Sequence, residues 1–361
     1  MSRLLTVIAV GAASLALVAA GCGGSDESTP SDEELAKIAD EINKEVPNVG
    51  LGEGSPPPDA SQWDTDFTKA SVALDEFQSG GPPKDGIPAI DEPRYLDTKD
   101  VDFLEGPEPV ILVEVDGIAR GFPVQILMWH EIVNARFGDV PVAVTFCPLC
   151  NTAIAFDRRL DGKVLDFGTT GKLRDSDLVM YDRQTESWWQ QFSGDALVGE
   201  LTGKKLRQVP ARIVSWDELE REHPDAAVLS KDTGFFREYG VNPYAGYDRI
   251  DSSPLFAVRN EEDDRLPPKE RVAYFEVGEK AYAVPFSSLV KKRTVQIDTE
   301  EGAVTVRWKP GVSSALDDVT VASGRDVGAA SVAVDGEPYP FHEPFWFAVA
   351  AFRPDIEIVD G

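Results

Sequence analysis

Two cysteines near the middle of the chain, Cys147 and Cys150, are the residues whose type and spacing are best suited to chemistry. They lie in the segment V-P-V-A-V-T-F-C-P-L-C-N-T-A-I-A-F-D, at residues 140–157. An apolar, β-branched run precedes them and a shorter apolar run follows, which predicts two strands with both thiols at the tip of a hairpin. A pair with this spacing can bind a metal ion, exchange with a partner disulfide, or form a local disulfide bridge.

In the metal hypothesis, the two thiolates of a C-x-x-C turn need further ligands. His130, one predicted element upstream, is the nearest histidine, and the chain has only 3 histidines. A site made of Cys147, Cys150 and His130 with an open position suits copper before zinc, and Met128 or Met180 could add a thioether to a copper ion. His130 packed in the core, with a satisfied ring, is the competing interpretation. His342 lies among aromatic residues and fits either a core position or a distant ligand.

Two alternatives to metal binding stay open. In an extracytoplasmic redox protein the catalytic residues would be Cys147, which attacks a partner disulfide, and Cys150, which resolves it. The residues after Cys150 are typical of a strand, so the helix dipole that activates many such thiols would be missing. In the third hypothesis the pair forms a structural disulfide in a non-catalytic scaffold. So short a loop makes a weak crosslink, because little chain entropy is removed.

A dense polar and aromatic segment follows the hairpin, from residue 167 to residue 191. Convergent polar groups among aromatic rings are typical of the wall of a small-ligand site, although cross-strand ion pairs on a solvated sheet produce the same pattern. We predict that this segment borders the cysteine site. The candidate ligand-binding or cofactor-binding residues are Lys172, Arg174, Asp182, Arg183, Ser187, Trp189 and Gln191, and Asp177 lies in the same segment.

The N-terminus predicts the compartment in which this chemistry would occur. Arg3 is followed by an apolar run at residues 4–20, and small residues then precede Cys22. This is the lipobox pattern of a bacterial lipoprotein, which predicts a signal peptide at 1–21 and a lipid on Cys22. The expected localisation is extracytoplasmic, with the protein anchored to the cell membrane through that lipid. Export is also what allows two nearby cysteines to be oxidised.

The rest of the chain predicts a β-rich α+β fold made of antiparallel hairpins and a few helices. Residues 22–62 are expected to form a lipidated tail with a short helix at 31–45 and a Gly- and Pro-rich linker at 49–61. The main domain would cover 63–250. The segment V-E-V-D-G-I-A-R-G-F-P-V-Q-I-L at 113–127 resembles F-E-V-G-E-K-A-Y-A-V-P-F-S-S-L at 275–289, and 142–150 resembles 303–311. Residues 251–361 are therefore predicted to be a degenerate second copy of a hairpin-helix-strand unit, packed on the first.

Composition excludes one class of partner. With 63 acidic and 35 basic residues the formal net charge is −28, which is incompatible with binding nucleic acid through bulk electrostatics. An acidic surface concentrates cations, which agrees with a metal site. The predicted partner is the membrane, through the lipid; the sequence does not specify a protein or small-molecule partner.

Three motifs carry a resemblance to a known family. They are T-F-C-P-L-C-N at 145–151, L-x-W-H-E-I-V-N at 127–134 and D-R-x-T-x-S-x-W-x-Q at 182–191. Together with the intervening sequence they resemble the exported bacterial and archaeal proteins grouped as domain of unknown function 3179. The resemblance extends from about residue 107 to the C-terminus. It implies no activity, so the functional hypotheses rest on the residues themselves.

Overall fold

The fold is known from a computed structural model, which describes residues 57–360. The predicted signal peptide, Cys22, the helix at 31–45 and most of the linker lie outside the described residues. Within residues 57–360 no helix has both the length and the apolar character needed to span a bilayer.

Helices are few, as the sequence predicted, and each of them is short. The described residues contain four α-helices of seven residues each: α1 (Val124–His130), α2 (Trp216–Glu222), α3 (Phe286–Lys292) and α4 (Trp346–Phe352). Short 3-10 turns occur at Ala60–Gln62, Leu74–Glu76, Thr98–Asp100 and Val321–Ser323.

Two helix boundaries show which local signals were sufficient. Ser215 in the sequence predicts the N-cap of a helix over residues 216–223. This is confirmed, because its hydroxyl accepts a hydrogen bond from the amide of Glu218 at 3.2 Å at the start of α2. Pro123 before an apolar run predicts a helix through about Asn134. This prediction is wrong, because α1 ends at His130. The β-branched Ile132 and Val133 instead belong to a strand that pairs with the cysteine hairpin.

Most of the regular secondary structure in residues 57–360 is strand. The first half contains β1 (Gln78–Ser79), β2 (Tyr95–Asp97), β3 (Pro109–Val115), β4 (Ile118–Pro123), β5 (Ile132–Phe137), β6 (Val140–Cys147), β7 (Thr152–Asp157), β8 (Arg159–Leu160), β9 (Lys163–Val164), β10 (Phe167–Arg174), β11 (Asp177–Asp182) and β12 (Trp188–Gln190). The second half contains β13 (Ala196–Val198), β14 (Gln208–Val209), β15 (Ala211–Ser215), β16 (Ala227–Leu229), β17 (Val272–Val277), β18 (Lys280–Pro285), β19 (Thr294–Thr299), β20 (Gly302–Lys309), β21 (Ala329–Val334), β22 (Glu337–Pro338) and β23 (Glu357–Ile358).

These strands form five larger sheets, arranged as the blades of a five-bladed β-propeller, and one two-stranded ribbon, β8-β9. The strand orders are β15-β3-β4-β16-β2, β14-β7-β6-β5, β1-β10-β11-β12-β13, β17-β18-β23 and β19-β20-β21-β22. Most neighbouring strands are antiparallel, which confirms the predicted β-rich antiparallel character. Parallel pairs occur where β16 adds to β4 and β23 adds to β18.

The two similar sequence segments have the same order of elements. A hairpin, a helix and a second hairpin follow one another in β3-β4-α1-β5-β6 and again in β17-β18-α3-β19-β20. Pro123 and Pro285 precede the two helices at equivalent positions. β6 and β20 are equivalent strands of the two units, and the last residue of β6, Cys147, corresponds to the last residue of β20, Lys309. The alignment of 142–150 with 303–311 in the sequence placed Cys147 one position earlier, opposite Trp308.

Candidate functional site

The cysteine pair lies at a hairpin tip, as predicted. Strand β6 ends at Cys147 and β7 begins at Thr152, and these two residues face each other in the antiparallel register. Cys150 lies in the connecting turn, so a strand rather than a helix follows it. Both cysteines are free, and only 1% of Cys147 and 0% of Cys150 is exposed. The tip is therefore inside the protein.

Distant segments hold the turn between the cysteines in place. The hydroxyl of Tyr247 donates to the carbonyl of Leu149 at 2.9 Å, and the amide of Phe345 donates to the carbonyl of Cys150 at 2.9 Å. The side chain of Asn151 donates to the carbonyl of Glu343 at 2.7 Å. These contacts join the turn to segments that are distant in the sequence. The backbone that carries the two sulfurs therefore has a defined position without a ligand.

The third member of the site is Asp177, the first residue of β11. Asp175 and Ser176, which connect β10 to β11, both have positive φ, of 53° and 57°. This tight turn places Asp177 opposite the tip of the cysteine hairpin. Ligand atoms of Cys147, Cys150 and Asp177 all lie within 4.8 Å of one another, and all three residues are buried. We call these three residues the CCD cluster.

Hydrogen bonds inside the CCD cluster join a thiol directly to a carboxylate. The sulfur of Cys150 lies 2.9 Å from Oδ1 of Asp177, to which it donates. The other carboxylate oxygen, Oδ2, accepts from Nε2 of Gln190 at 2.6 Å and from the amide of Phe192 at 2.9 Å. The sulfur of Cys150 also lies 3.0 Å from the hydroxyl of Thr152. Asp177 is thus held in one orientation, with one oxygen toward the thiols.

The electrostatic environment of the CCD cluster is unfavourable for negative charge. Burial raises the pKa of Asp177 to about 6 and, together with the charge of Asp177, raises the pKa of the adjoining Glu131 to about 8. Burial also raises the pKa of both thiols, most strongly that of Cys150. Among residues 57–360, no lysine or arginine forms an ion pair with Asp177 or Glu131. The nearby acids are therefore not balanced by a protein cation.

The structure does not bring His130 to the sulfurs. Its Nδ1 lies 2.7 Å from the carbonyl oxygen of Pro88, and its Nε2 lies 2.6 Å from the hydroxyl of Tyr239. Burial lowers the pKa of His130 to about 4, so the ring is neutral and has one donor and one acceptor nitrogen, both in use. In the described part of the chain, Asp177 takes the place in the cluster that the sequence reasoning gave to His130.

Two of the seven candidate ligand-binding residues, Gln191 and Arg174, are connected to the CCD cluster through one intervening side chain each. Gln191 accepts from the hydroxyl of Thr152 at 2.7 Å, and that hydroxyl contacts Cys150. Arg174 donates to Gln190 at 3.1 Å, and Gln190 donates to Asp177. These two residues support the site from behind and do not touch the sulfurs.

The other five candidate ligand-binding residues form their ion pairs and hydrogen bonds away from the CCD cluster. Lys172 pairs with Asp59 at 2.9 Å, and Arg183 pairs with Asp85 and Asp91. Asp182 accepts from Nε1 of the buried Trp189 at 2.9 Å and from the amide of Thr185 at 2.7 Å. The hydroxyl of Ser187 accepts from the amide of Leu201 at 3.0 Å. Each of these contacts stabilises its own part of the fold.

A cavity lies on the far side of Phe192, whose amide contacts Asp177. Its volume is about 230 Å³, and its lining includes Phe192, Tyr274, Glu276 and His342. His342 is 3% exposed and packs between the rings of Phe192 and Tyr274, each 4.8 Å away. Burial lowers the pKa of His342 to about 3. Its ring is thus neutral, and within residues 57–360 neither ring nitrogen has a hydrogen-bond partner. The other candidate ligands, Met128 and Met180, are also buried in the main core.

Fold and site together define a β-propeller protein with a buried Cys-Cys-Asp cluster at one hairpin tip. The chain belongs to the family described as protein of unknown function DUF3179, whose model matches residues 84–356. The match begins earlier than the resemblance noted in the sequence and includes all three motifs. Comparison with curated proteins and with solved structures gave no match.

Proposed function

We propose that the CCD cluster binds one thiophilic metal ion. The observation that carries this proposal is a set of two sulfurs and a carboxylate within 4.8 Å of one another, buried and without a cationic partner among residues 57–360. Burying an unpaired charge is costly, so such groups normally pair with a cation or coordinate a metal. A bound cation would balance Asp177 and lower the pKa of both thiols, and the thiolates would then become ligands.

The donor set alters the expected preference between metals. With His130 as third ligand, copper would be favoured over zinc. A carboxylate is a harder ligand than imidazole, whereas Cu⁺ prefers soft sulfur ligands. Zinc accepts thiolate, imidazole and carboxylate oxygen in tetrahedral sites. We therefore infer that zinc is the preferred ion and that copper is the second candidate.

The redox hypothesis has less physical support. A reactive cysteine needs a low pKa and access to its partner, and helix N-termini or nearby cations usually provide the former. Here burial raises the pKa of both thiols and no helix begins at Cys150. A partner disulfide would also have to reach sulfurs that are at most 1% exposed. The same burial is favourable for a closed metal site.

A comparison of the two units supports a functional role for the cluster. We infer that both derive from one ancestral unit and that only the first kept the chemistry. At the equivalent positions the second unit has Lys309 in place of Cys147 and Val312 in place of Cys150. The second unit forms the same order of elements without the thiols, so the fold does not require them.

The proposed location is the outer face of the cell membrane, with Cys22 lipidated. Cys22→Ser is expected to abolish metabolic labelling with a radioactive fatty acid, because the modified residue is Cys22. The thermal midpoint of the body should be unchanged. Labelling and membrane fractionation of both proteins give the test, and label that persists in the variant would contradict the lipoprotein assignment.

Metal analysis of the full-length protein, purified without reductant or chelator, tests the main proposal. We expect about one zinc or copper ion per chain, since one cluster offers one site. Thiol reagents should detect Cys147 and Cys150 as free thiols in the denatured, chelator-treated protein, because both are buried in the fold. The result that would overturn the proposal is negligible metal after reconstitution with Zn²⁺ and Cu⁺, with both thiols titrating as a reversible disulfide pair.

A further inference from the structure

Glu131 has a fixed position beside the CCD cluster. Its amide donates to the carbonyl of Leu127 at 2.7 Å and closes α1, with φ of 58° and ψ of −30°. Its carbonyl accepts from the amide of Phe146 at 2.8 Å, and Phe146 precedes Cys147. The backbone of Glu131 is thus tied to the strand that carries the first cysteine.

The carboxylate of Glu131 has no partner for its charge. Only 8% of the residue is exposed, yet within residues 57–360 its side chain makes no hydrogen bond and no ion pair. Buried carboxylates normally have such partners. Through its carbonyl the residue is bonded to Phe146, directly before Cys147, so it lies next to the end of the strand that carries the first thiol. The raised pKa of Glu131, caused by burial first and by the charge of Asp177 second, agrees with this position. Glu131 therefore lies beside the cluster with unused ligand oxygens.

The residue of the second unit that is equivalent to Glu131 shows which features of Glu131 belong to the fold. Arg293 occupies the position equivalent to Glu131, with nearly the same backbone, φ of 64° and ψ of −29°. The amide of Trp308 donates to its carbonyl at 3.0 Å, and its guanidinium lies over the Trp308 ring, 4.5 Å from the centroid. The unusual backbone thus belongs to the repeated unit. The carboxylate occurs only in the unit that has the cysteines.

We propose that Glu131 supplies the fourth ligand to the ion held by Cys147, Cys150 and Asp177. This inference rests on the metal site proposed above. The ligand atoms of Glu131 are not part of the group within 4.8 Å, so the side chain would turn onto the ion as the ion binds. Four protein ligands complete the tetrahedral shell of a structural zinc site. With two thiolates and two carboxylates around a divalent ion, the site carries the same charge as a zinc site made of four cysteine thiolates.

Cobalt substitution in the full-length, detergent-solubilised protein tests this ligand. Glu131→Gln should lower the affinity for Co²⁺ and Zn²⁺ at least about tenfold, because a neutral amide is a poor ligand. The sulfur-to-cobalt charge-transfer bands should persist, whereas the d–d bands should change as water replaces the carboxylate. Glu131→His should retain affinity within about threefold, since imidazole is a good zinc ligand and histidine tolerates positive φ.

The matched control is Glu108→Gln. Glu108 is also a buried glutamate, 3% exposed, but its carboxylate accepts from Gln125 at 2.7 Å and is not part of the cluster. This variant should bind metal like the wild type. Wild-type affinity and d–d bands in Glu131→Gln would overturn the fourth ligand alone, whereas a wild-type protein without metal would overturn the metal site itself.

Discussion

Asp177→Asn is expected to lower the affinity of the protein for Zn²⁺ at least about 100-fold. Removing a residue that only supports a metal ligand already costs up to about that much, and Asp177 is proposed to be a ligand itself. The change keeps the size of the side chain and removes its charge. An amide does not balance a divalent cation, and its oxygen is a weaker ligand than a carboxylate. Competition with a chromophoric chelator measures the affinity, and circular dichroism shows whether the fold is kept.

His130→Ala is the control that separates this site from the one the sequence suggested. It removes two hydrogen bonds, to Pro88 and Tyr239, and should lower the free energy of unfolding by about 1–3 kcal/mol. Its affinity for Zn²⁺ should stay within about threefold of the wild type, because neither ring nitrogen faces the sulfurs. Loss of metal in His130→Ala with retention in Asp177→Asn would reverse the assignment of the third ligand.

Much of the local structure could be predicted because its signals are local. The apolar alternation on both sides of the cysteines specifies β6 and β7, and Pro123 and Ser215 mark helix starts through the geometry of the helix N-terminus. The cysteine hairpin was predicted for this reason. Where α1 ends was not, since Ile132 and Val133 become a strand by pairing with Val144 and Thr145.

Asp177 could not be assigned to the cysteines because it is 27 residues beyond Cys150 and lies in a different sheet. Only the arrangement of the blades brings the two hairpin tips together. A weak signal did exist: the sequence L-R-D-S-D at 173–177 combines a tight turn with an acidic residue at the start of a strand. His130 was nearer in the sequence, and proximity along the chain was the wrong criterion.

The polar segment illustrates the same limit. Seven residues were grouped because they are close in sequence and varied in chemistry. Strands β10, β11 and β12 and the turns that follow β11 and β12 place them at different parts of one sheet. Asp182 faces Trp189 and stabilises a turn, whereas Gln191 reaches Thr152 beside the site. Which face a strand residue occupies is set by register, and the register here includes bulges that the sequence does not reveal.

The metal-free protein is expected to lose stability as the pH rises from about 6.5 to 8. The folded-state pKa of Glu131 is raised to about 8 and that of Glu343 to about 7, in both cases by burial first. A raised carboxyl pKa means that the folded protein holds a proton that the unfolded chain has released. The free energy of unfolding therefore falls with pH, by up to about 1.4 kcal/mol per pH unit for each such proton.

The two buried histidines act in the opposite direction but in a lower range. Burial lowers the pKa of His130 to about 4 and that of His342 to about 3, so folding releases their protons below the unfolded pKa near 6.5. Their contribution rises with pH through that value and becomes nearly constant about one pH unit above it. The upper part of the interval, from about pH 7.5 to 8, therefore reports mainly on Glu131. Glu343 and the end of the histidine titration contribute at its lower end.

Urea unfolding of the chelator-treated protein at pH 6.5, 7.25 and 8 measures this slope. Glu131→Gln should flatten it, because the amide does not titrate, and Glu343→Gln should flatten only the part below pH 7. Saturating Zn²⁺ should reverse the sign for the wild type, since metal binding requires deprotonated thiols and releases protons, so that its stabilisation grows with pH. An equal slope in wild type and Glu131→Gln would mean that Glu131 is already ionised in the metal-free fold. A Zn²⁺ effect that does not grow with pH would argue that the buried thiols are not the ligands.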